Sequence, residues 1–322
     1  MEQNNLPVVS LVIPCRNEEK FIEKCLESIL NQDYPKEKME VLVVDGMSED
    51  KTREKIKNFQ FLNPNFQLRL IDNPKKITPA AMNVGIKNSK GEIIIKIDAH
   101  STYSKNYISK CVKYLLESGA DCVGGIIKTL PSENTILAKA IALSLSHPFG
   151  VGSSYFRRGA KEPKFVDTVA FGCYKKEIFD HLGLYNEKAE RIEDLELNSR
   201  IRKSGGKILL VPEIVAFYYP KSNLKDFFKH NFSDGFWTTY SFKIGLRAVG
   251  LRHLIPLFFV LTLPISIWPY ILLSLFFSAQ IAILEKDFRL FFLMPIAFFC
   301  RHFGYGLGSI FGLIKFLKEV KI

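Results

Sequence analysis

The sequence predicts an α/β domain with a mostly parallel sheet, followed by an amphipathic region and carboxy-terminal transmembrane helices. Three observations carry this. Short β-branched runs alternate with segments of helical period through the first part of the chain, the pattern of strand–helix–strand units that cover both faces of a sheet. The stretch GEIIIKIDAHSTY, residues 91–103, turns polar at Asp98 and His100, as a buried strand does where its carboxyl end enters a crevice. Beyond Pro220 the composition shifts to Phe, Trp, Tyr and basic residues, then to a long uncharged run.

With 322 residues, the chain suffices for one large domain or two smaller ones with a substantial core. Its formal net charge of +11 admits nucleic acid, anionic membrane or phosphorylated small molecules as partners. No helix-turn-helix, zinc-finger or RNA-binding aromatic signature is present, and part of the charge clusters at proposed membrane borders, so nucleic acid is set aside. The cysteines at 15, 25, 111, 122, 173 and 300 form no CxxC pair and no Cys/His ligand spacing; they read as reduced core thiols of a cytosolic portion. A polar amino terminus without a signal-peptide pattern speaks against secretion.

VVSLVIP, residues 8–14, reads as a buried strand stopped by Pro14. A helix follows an acidic first turn, with Asn17 as candidate cap and Phe21, Ile22, Cys25, Leu26, Ile29 and Leu30 at helical spacing. Residues 39–46 form a second strand ending in Asp45, and Ser48 is the expected cap of a helix to about residue 59. FQLRLIDNP is the third strand, residues 79–88 a helix, and GEIIIKIDAH the fourth strand. In an extended segment Asp98 and His100, two apart, point to one side, suiting a shared ion or sugar phosphate; an Asp there also serves as a turn residue. Helices are expected over 107–119 and 136–145, with a strand over 120–127. Residues 150–174, carrying Arg157, Arg158, Lys161 and Lys164, read as a glycine-rich loop that suits acceptors, phosphates or plain solvent. A helix then opens at Glu193 and Asp194, stops at Gly205-Gly206, and leads into a strand KILLVP. The acidic pair complements the helix dipole and also places a carboxylate at the crevice rim.

The expected division is a catalytic part over 1–220, a basic aromatic interfacial region over 221–252, and a membrane region over 253–322 with about two transmembrane helices. Leu254–Leu284 is uncharged and reads as one span, longer than the roughly 30 Å hydrocarbon core requires. A second span covers about 290–314, where Arg301 and His302 must face protein or a polar path unless the segment is re-entrant or interfacial. Gly304, Gly308 and Gly312, four apart, give a close-packing face for the molecule itself or for a partner. Basic residues before Leu254 and after Ile314 favour a multi-pass cell-membrane protein with a cytoplasmic body.

Four segments in order, VSLVIPCRNEEKFIEKCLESILNQDYP, EVLVVDGMSEDKT, PAAMNVGIKNSKGEIIIKIDAH and RIEDLELNSRIRKSGGKI, resemble the successive motifs of the family 2 glycosyltransferases. Within that family they look like the bacterial exopolysaccharide enzymes of the succinoglycan ExoA type, in which DAH stands for the usual Asp-x-Asp. The resemblance covers about residues 8–235. It implies a GT-A nucleotide-binding fold with Pro14, Arg16 and Glu18 around the nucleotide and Asp45 on the base, commonly uracil, hence a UDP-sugar donor. Asp98 is implied to associate with a divalent cation, Mg²⁺ or Mn²⁺, and Asp194 to act as general base, with Glu193 its local competitor. His100 replaces the second carboxylate and is left as metal ligand, phosphate contact or strand-end residue; Gly172 and Cys173 fall on the acceptor side. The cation would stabilise the departing nucleoside diphosphate while Asp194 takes the proton of the attacking hydroxyl, a single displacement with inversion.

Where processive synthases carry Gln-x-x-Arg-Trp, this chain has HNFSDGFW, residues 230–237, and its membrane section is short. Both point to non-processive transfer of one sugar to a lipid-linked saccharide. Two alternatives stand beside this reading. In a polyprenyl-phosphate sugar synthase, Arg157, Arg158 and Lys161 would grip the acceptor phosphate; a catalytically silent scaffold of an envelope assembly complex would use the glycine face to associate with itself or a partner.

Overall fold

The computed structural model describes residues 6–245 and 250–320; Arg247 of the basic aromatic stretch lies outside them. The chain folds as two units, Met1–Lys128 with Gly159–Tyr218, and Thr129–Arg158 with Tyr219–Ile322.

Aliphatic runs buried on both faces set the centre of the first unit. They are β1 (Val9–Cys15), β2 (Met39–Asp45) and, numbered β4 in chain order, Ile93–Lys96; with the partly exposed edge strand β3 (Leu68–Asp72) they lie in the spatial order β3-β2-β1-β4, all parallel. Such strands have no polar face, which is why VSLVIPC, MEVLVVD and IIIK show no alternation. The connections are α1 (Ile22–Leu30), α2 (Thr52–Leu62) and α3 (Thr78–Asn88). In α1 the buried Ile22, Cys25, Leu26 and Ile29 fall three and four apart, one stripe of the helix.

The sheet continues through β5 (Ser101–Tyr103), β6 (Cys122–Thr129), β7 (Lys164–Phe165), β8 (Ala170–Lys175) and β9 (Ile208–Tyr218), giving the order β3-β2-β1-β4-β8-β6-β9-β5 with β7 on β9. Here β4 pairs β8, β6 pairs β8, and β5 and β7 pair β9, all antiparallel, so the sheet is mixed with its parallel pairs at the amino-terminal side. Two expectations are corrected. β8 lies in the stretch read as a glycine-rich loop: a Cβ on Gly172 would fall 2.3 Å from the Tyr174 hydroxyl, so the glycine makes room for a buried ring inside a strand. β9 continues past Pro212, which falls between the residues paired by β7 and those paired by β5. The first unit is completed by α4 (Tyr107–Glu117), and, after α5 (Ile136–Ser144), α6 (Pro148–Val151) and α7 (Tyr155–Arg158) of the second unit, by α8 (Glu177–Leu182) and α9 (Glu193–Lys203).

The second unit continues with α10 (Leu224–Tyr240), α11 (Leu251–Leu261), α12 (Leu263–Leu284) and α13 (Arg289–Val320). Helices α5, α6, α10, α11 and α12 all pack on α13. Leu290, Met294, Ala297 and Phe298 of α13 form a core with Ala140 of α5 and with Ile281 and Ala282 of α12. Gly304, Gly308 and Gly312 lie against Phe228, Phe232 and Phe236 of α10, so the small-residue face is used within the chain. A Cβ on Gly308 would sit 1.9 Å from the Phe232 carbonyl oxygen, a contact only glycine permits. Arg301 donates to the carbonyl of Gly150 (2.5 Å) and to Asn231 Oδ1 (3.0 Å), and His302 Nδ1 lies 3.0 Å from the Tyr270 hydroxyl; both polar residues face protein.

The single uncharged run is split: α11 ends at Leu261 and α12 starts at Leu263 with Pro264 in its first turn, where a missing N–H costs nothing. α12 and α13 are each long and apolar enough to cross a membrane, and 22% and 33% of their apolar windows are buried. Ile265 and Trp268, 82% and 71% exposed, stand on the outward side of α12. Gly308→Val is expected to separate α10 from α13 at a cost of about 1–3 kcal/mol or more, lowering the thermal midpoint in detergent by several degrees. An unchanged midpoint would show that the helices do not meet at this face.

Candidate active site

Adjacent parallel strands end at one edge of a sheet, so the loops after β1, β2, β3 and β4 are neighbours. They are sewn together by their own backbones. Gly46 N donates to the Cys15 carbonyl (2.7 Å) and Asn73 N to the Asp45 carbonyl (2.8 Å). Asn17, with a left-handed φ of 55°, donates its N–H to Ser48 Oγ (2.8 Å) and accepts from Glu49 N (2.9 Å), while Glu18 N donates to Thr52 Oγ1 (2.7 Å). Asn17 and Ser48 therefore join two loops rather than capping helices; α1 and α2 begin at Ile22 and Thr52 with no side-chain cap.

Asp45 is wholly buried at the end of β2. Its Oδ1 accepts from Ser48 Oγ, and its Oδ2 from Ser48 N (3.0 Å) and Arg53 Nη1 (2.7 Å). The same Arg53 nitrogen lies 2.8 Å from Asp72 Oδ1 at the end of β3, a side chain 57% exposed. The carboxylate expected at the base thus lies under Arg53, and Arg53 with Asp72 forms the exposed surface above it. Pro14 does not end its strand but pairs with Val44, and β1 runs to Cys15. Arg16 is partly exposed and 3.9 Å from Glu49.

β4 stops at Lys96, so Asp98 and His100 are not on extended backbone. A tight turn joins them instead, with Ser101 N donating to the Asp98 carbonyl (3.2 Å) and His100 N to Asp98 Oδ1 (2.9 Å). The expected proximity is present, produced by the turn rather than by strand alternation. His100 Nδ1 lies 3.0 Å from both Asp98 Oδ1 and Glu18 Oε1, and the ring stands 5.2 Å from that of Tyr218. Asp98 is further fixed by its N–H, which donates to the Tyr103 hydroxyl (2.7 Å). Among the described residues no group of three or more His, Cys, Asp or Glu side chains is arranged to hold a metal by itself.

Helix α9 opens at Glu193 and Asp194, as the sequence predicts. Lys96 Nζ lies 2.7 Å from Glu193 Oε1 and 2.7 Å from Asp194 Oδ2, with the lysine side chain 7% exposed. Glu193 Oε2 and Asp194 Oδ1 are buried and have no hydrogen-bond partner. Burial pushes the Asp194 carboxyl up, to about 6; Lys96 pulls it down, while Glu193 and Asp98 add to the rise. Burial works against the Lys96 ammonium, but Asp194 and Glu193 more than offset this and hold it charged well above its usual range. The helix itself is pinned by Arg200, which bonds both Glu196 oxygens (2.8 and 2.9 Å) and the carbonyls of Leu182, Gly183 and Leu184.

Sequence reasoning missed Lys96. Its signal was a lysine inside a fully buried isoleucine strand. The basic loop cluster is divided, with Arg157 and Arg158 in the second unit and Lys161 and Lys164 in the first. Cys173 is fully buried within β8, opposite Ile95.

A mixed sheet with carboxylates collected at the ends of its parallel strands is the fold of a GT-A glycosyltransferase. The profile of Glycosyl transferase family 2 matches residues 10–183, and the chain belongs to that family. It is 34% identical over 319 residues to the dolichyl N-acetyl-α-D-glucosaminyl phosphate 3-β-D-2,3-diacetamido-2,3-dideoxy-β-D-glucuronosyltransferase of Methanococcus voltae, covering 95% of this chain and 97% of that protein. To the succinoglycan biosynthesis protein ExoA of Rhizobium meliloti it is 31% identical, over 77% of this chain and 74% of the other. The solved mannosyltransferase PcManGT of Pyrobaculum calidifontis, in complex with GDP-Man and Mn²⁺, shares the fold with a TM-score of 0.64 at 19% identity, over 94% of this chain and 88% of its own.

Removing Arg53 leaves Asp45 buried and short of one charged donor. Arg53→Leu is expected to lower stability by about 1.5–3 kcal/mol, read as a shifted urea midpoint, and an unshifted midpoint would contradict the bridge.

Proposed function

We propose that this enzyme transfers one sugar at a time, with inversion, from a nucleotide sugar to a hydroxyl of a lipid-linked saccharide at a membrane. The observation that carries the reading is Asp194: a carboxylate with one oxygen on Lys96 and the other buried without a partner, its proton affinity raised toward neutrality. Such a group accepts the proton of a neutral hydroxyl as that oxygen attacks the anomeric carbon. A phosphate acceptor is already anionic, needs no base, and would meet two carboxylates balanced by one lysine. The hydroxyl is therefore preferred over a polyprenyl phosphate. The intact base also speaks against a silent scaffold, and the glycine face is already taken by α10.

The residues fit a divalent cation that is completed by the donor. Asp98 uses Oδ1 for its bonds to His100 and would meet an ion through Oδ2, with the His100 imidazole as the second donor. Together they would hold Mg²⁺ or Mn²⁺ through one oxygen and one nitrogen donor. Bound there, the cation would neutralise charge on the departing diphosphate. Glu18 orients the His100 ring, Pro14 and Arg16 flank the nucleotide, and Asp45 acts on the base, uracil in this reading, through Arg53. The names of the Methanococcus voltae and Rhizobium meliloti relatives, a dolichyl-linked acceptor and an exopolysaccharide, support the acceptor class.

Residues 1–220 would provide catalysis, 221–252 would meet the lipid headgroups, and α12 and α13 would span the membrane with the body on the cytoplasmic side. HNFSDGFW supports single transfer, for it packs within the second unit, where Trp237 contacts Phe236 and Tyr240.

The test is incubation of the detergent-solubilised protein with lipid extract, a panel of UDP, GDP and dTDP sugars, and Mn²⁺ or Mg²⁺, with the product identified by mass. Asp194→Asn is expected to keep donor affinity while slowing transfer about 10²–10⁴-fold; wild-type turnover would remove Asp194 as the base. Asp98→Ala is expected to abolish the response of transfer to added Mn²⁺ or Mg²⁺, and unchanged metal-dependent turnover would exclude it. Because Asp194 must be unprotonated, kcat/KM should fall as pH drops through about 6 and level off above it. A rate independent of pH from 5 to 8, to take about that range, would contradict the assignment.

A further inference from the structure

Lys96 occupies a costly position. β4 is flanked by β1 and β8, with Val12 opposite Lys96, Ile97 N bonded to the Val12 carbonyl, and Ile93, Ile94 and Ile95 before Lys96 and Ile97 after it all buried. A methionine would fill the same space without burying a charge, and replacing buried ion pairs by apolar residues is often neutral or stabilising. The ammonium is nevertheless shared evenly between two carboxylates from the first turn of α9, 97 and 98 residues away.

First-turn acids usually turn to the unsatisfied N–H groups of their own helix. Asp194 does not: Oδ2 is on Lys96 and Oδ1 bonds nothing. Groups that act electrostatically on Asp194 include Lys96 and Asp98 from β4 and its end, Glu193 beside it, Tyr185 from the loop before α9, Tyr174 from β8 and Cys122 from β6. Lys96 is a cation bonded to both carboxylates of the pair. Without it two adjacent carboxylates would share a buried site with their charges facing each other.

We propose that Lys96 is a positioning residue of the transfer reaction: it draws Oδ2 of the Asp194 carboxylate away from the helix amides, leaves Oδ1 without a protein partner, and sets its charge between Asp194 and Glu193. This rests on Asp194 being the base. Lys96 does not touch the reacting atoms, and Glu193 becomes the second anchor of the clamp rather than a rival base.

The experiment compares wild type, Lys96→Met, Lys96→Arg, Asp194→Asn and the double variant Lys96→Met/Glu193→Gln, using the donor and lipid extract that give product and UDP as binding probe. Lys96→Met is expected to lower kcat about 100-fold, with donor KM and UDP affinity within about twofold of wild type, and to move the acidic limb of the pH profile up by about one unit or more. Lys96→Arg should keep the limb in place, and Glu193→Gln in the Lys96→Met background should recover kcat by about tenfold or more, since Asp194 no longer shares its site with a second charge. Where the single methionine variant does not fold, the arginine and double variants carry the same test. Wild-type kcat and an unmoved limb in Lys96→Met overturn the proposal while Asp194→Asn remains inactive. A parallel loss of kcat, UDP affinity and melting temperature without rescue by Glu193→Gln also overturns it, in favour of a merely structural lysine. Wild-type transfer by Asp194→Asn would instead remove the base assignment on which it stands.

Discussion

A charged ammonium inside a sheet is tolerable only while its counter-charges stay beside it, and in this chain they come from a different element. Taking an ammonium out of water costs several kcal/mol, so Lys96 obliges the first turn of α9 to sit against β4. The dependence runs both ways, because Glu193 and Asp194 are themselves buried beside each other and repel. Arg200 adds a second tie by gathering Glu196 and three carbonyls of the chain before α9. The start of α9 is thereby held by β4 on one side and by the carbonyls of residues 182–184 on the other.

The loops at the parallel strand ends follow a related logic with smaller forces. Backbone amides of one loop are bonded by the short polar side chains of the next, as in Asn17 with Ser48 and Glu49, and Glu18 with Thr52. Each such bond contributes about 1 kcal/mol, so no one of them is decisive, yet together they fix Glu18 beside His100 and Arg53 above Asp45. The acidic side chains are thus presented by a rigid backbone, with two carboxylates orienting the imidazole from behind.

Among the parallel strands β1, β2 and β4 were legible as runs of buried aliphatic residues, and Asp45, Asp98 and Asp194 as carboxylates at or near element ends. Local pattern could not reveal partners across long separations. Asn17 and Ser48 have the composition of helix caps, but their bonds run to each other, which depends on β1 and β2 being adjacent. β8 was hidden because its glycine answers to the ring of Tyr174 rather than to a turn, and β9 because Pro212 falls where its neighbours β7 and β5 leave a gap. Lys96 was overlooked for the same reason: a lysine in a strand makes sense only once α9 is in place. The division of the uncharged run at Thr262 was marked by Pro264, a residue that starts a helix as readily as it interrupts one.

The glycine contact between α10 and α13 has a bearing on how the chain is made. α10 precedes α11 and α12, whereas the surface it packs on is the last helix to emerge, so the face of α10 with Asn231, Gly235, Thr238 and Thr239 waits through the synthesis of some eighty residues, about 4–16 s at ordinary translation rates. Its final neighbour arrives only after two apolar helices have been handed over from the ribosome. During that interval the face that α13 will cover is open, and the order of synthesis gives a lipid interface or a chaperone first access to it.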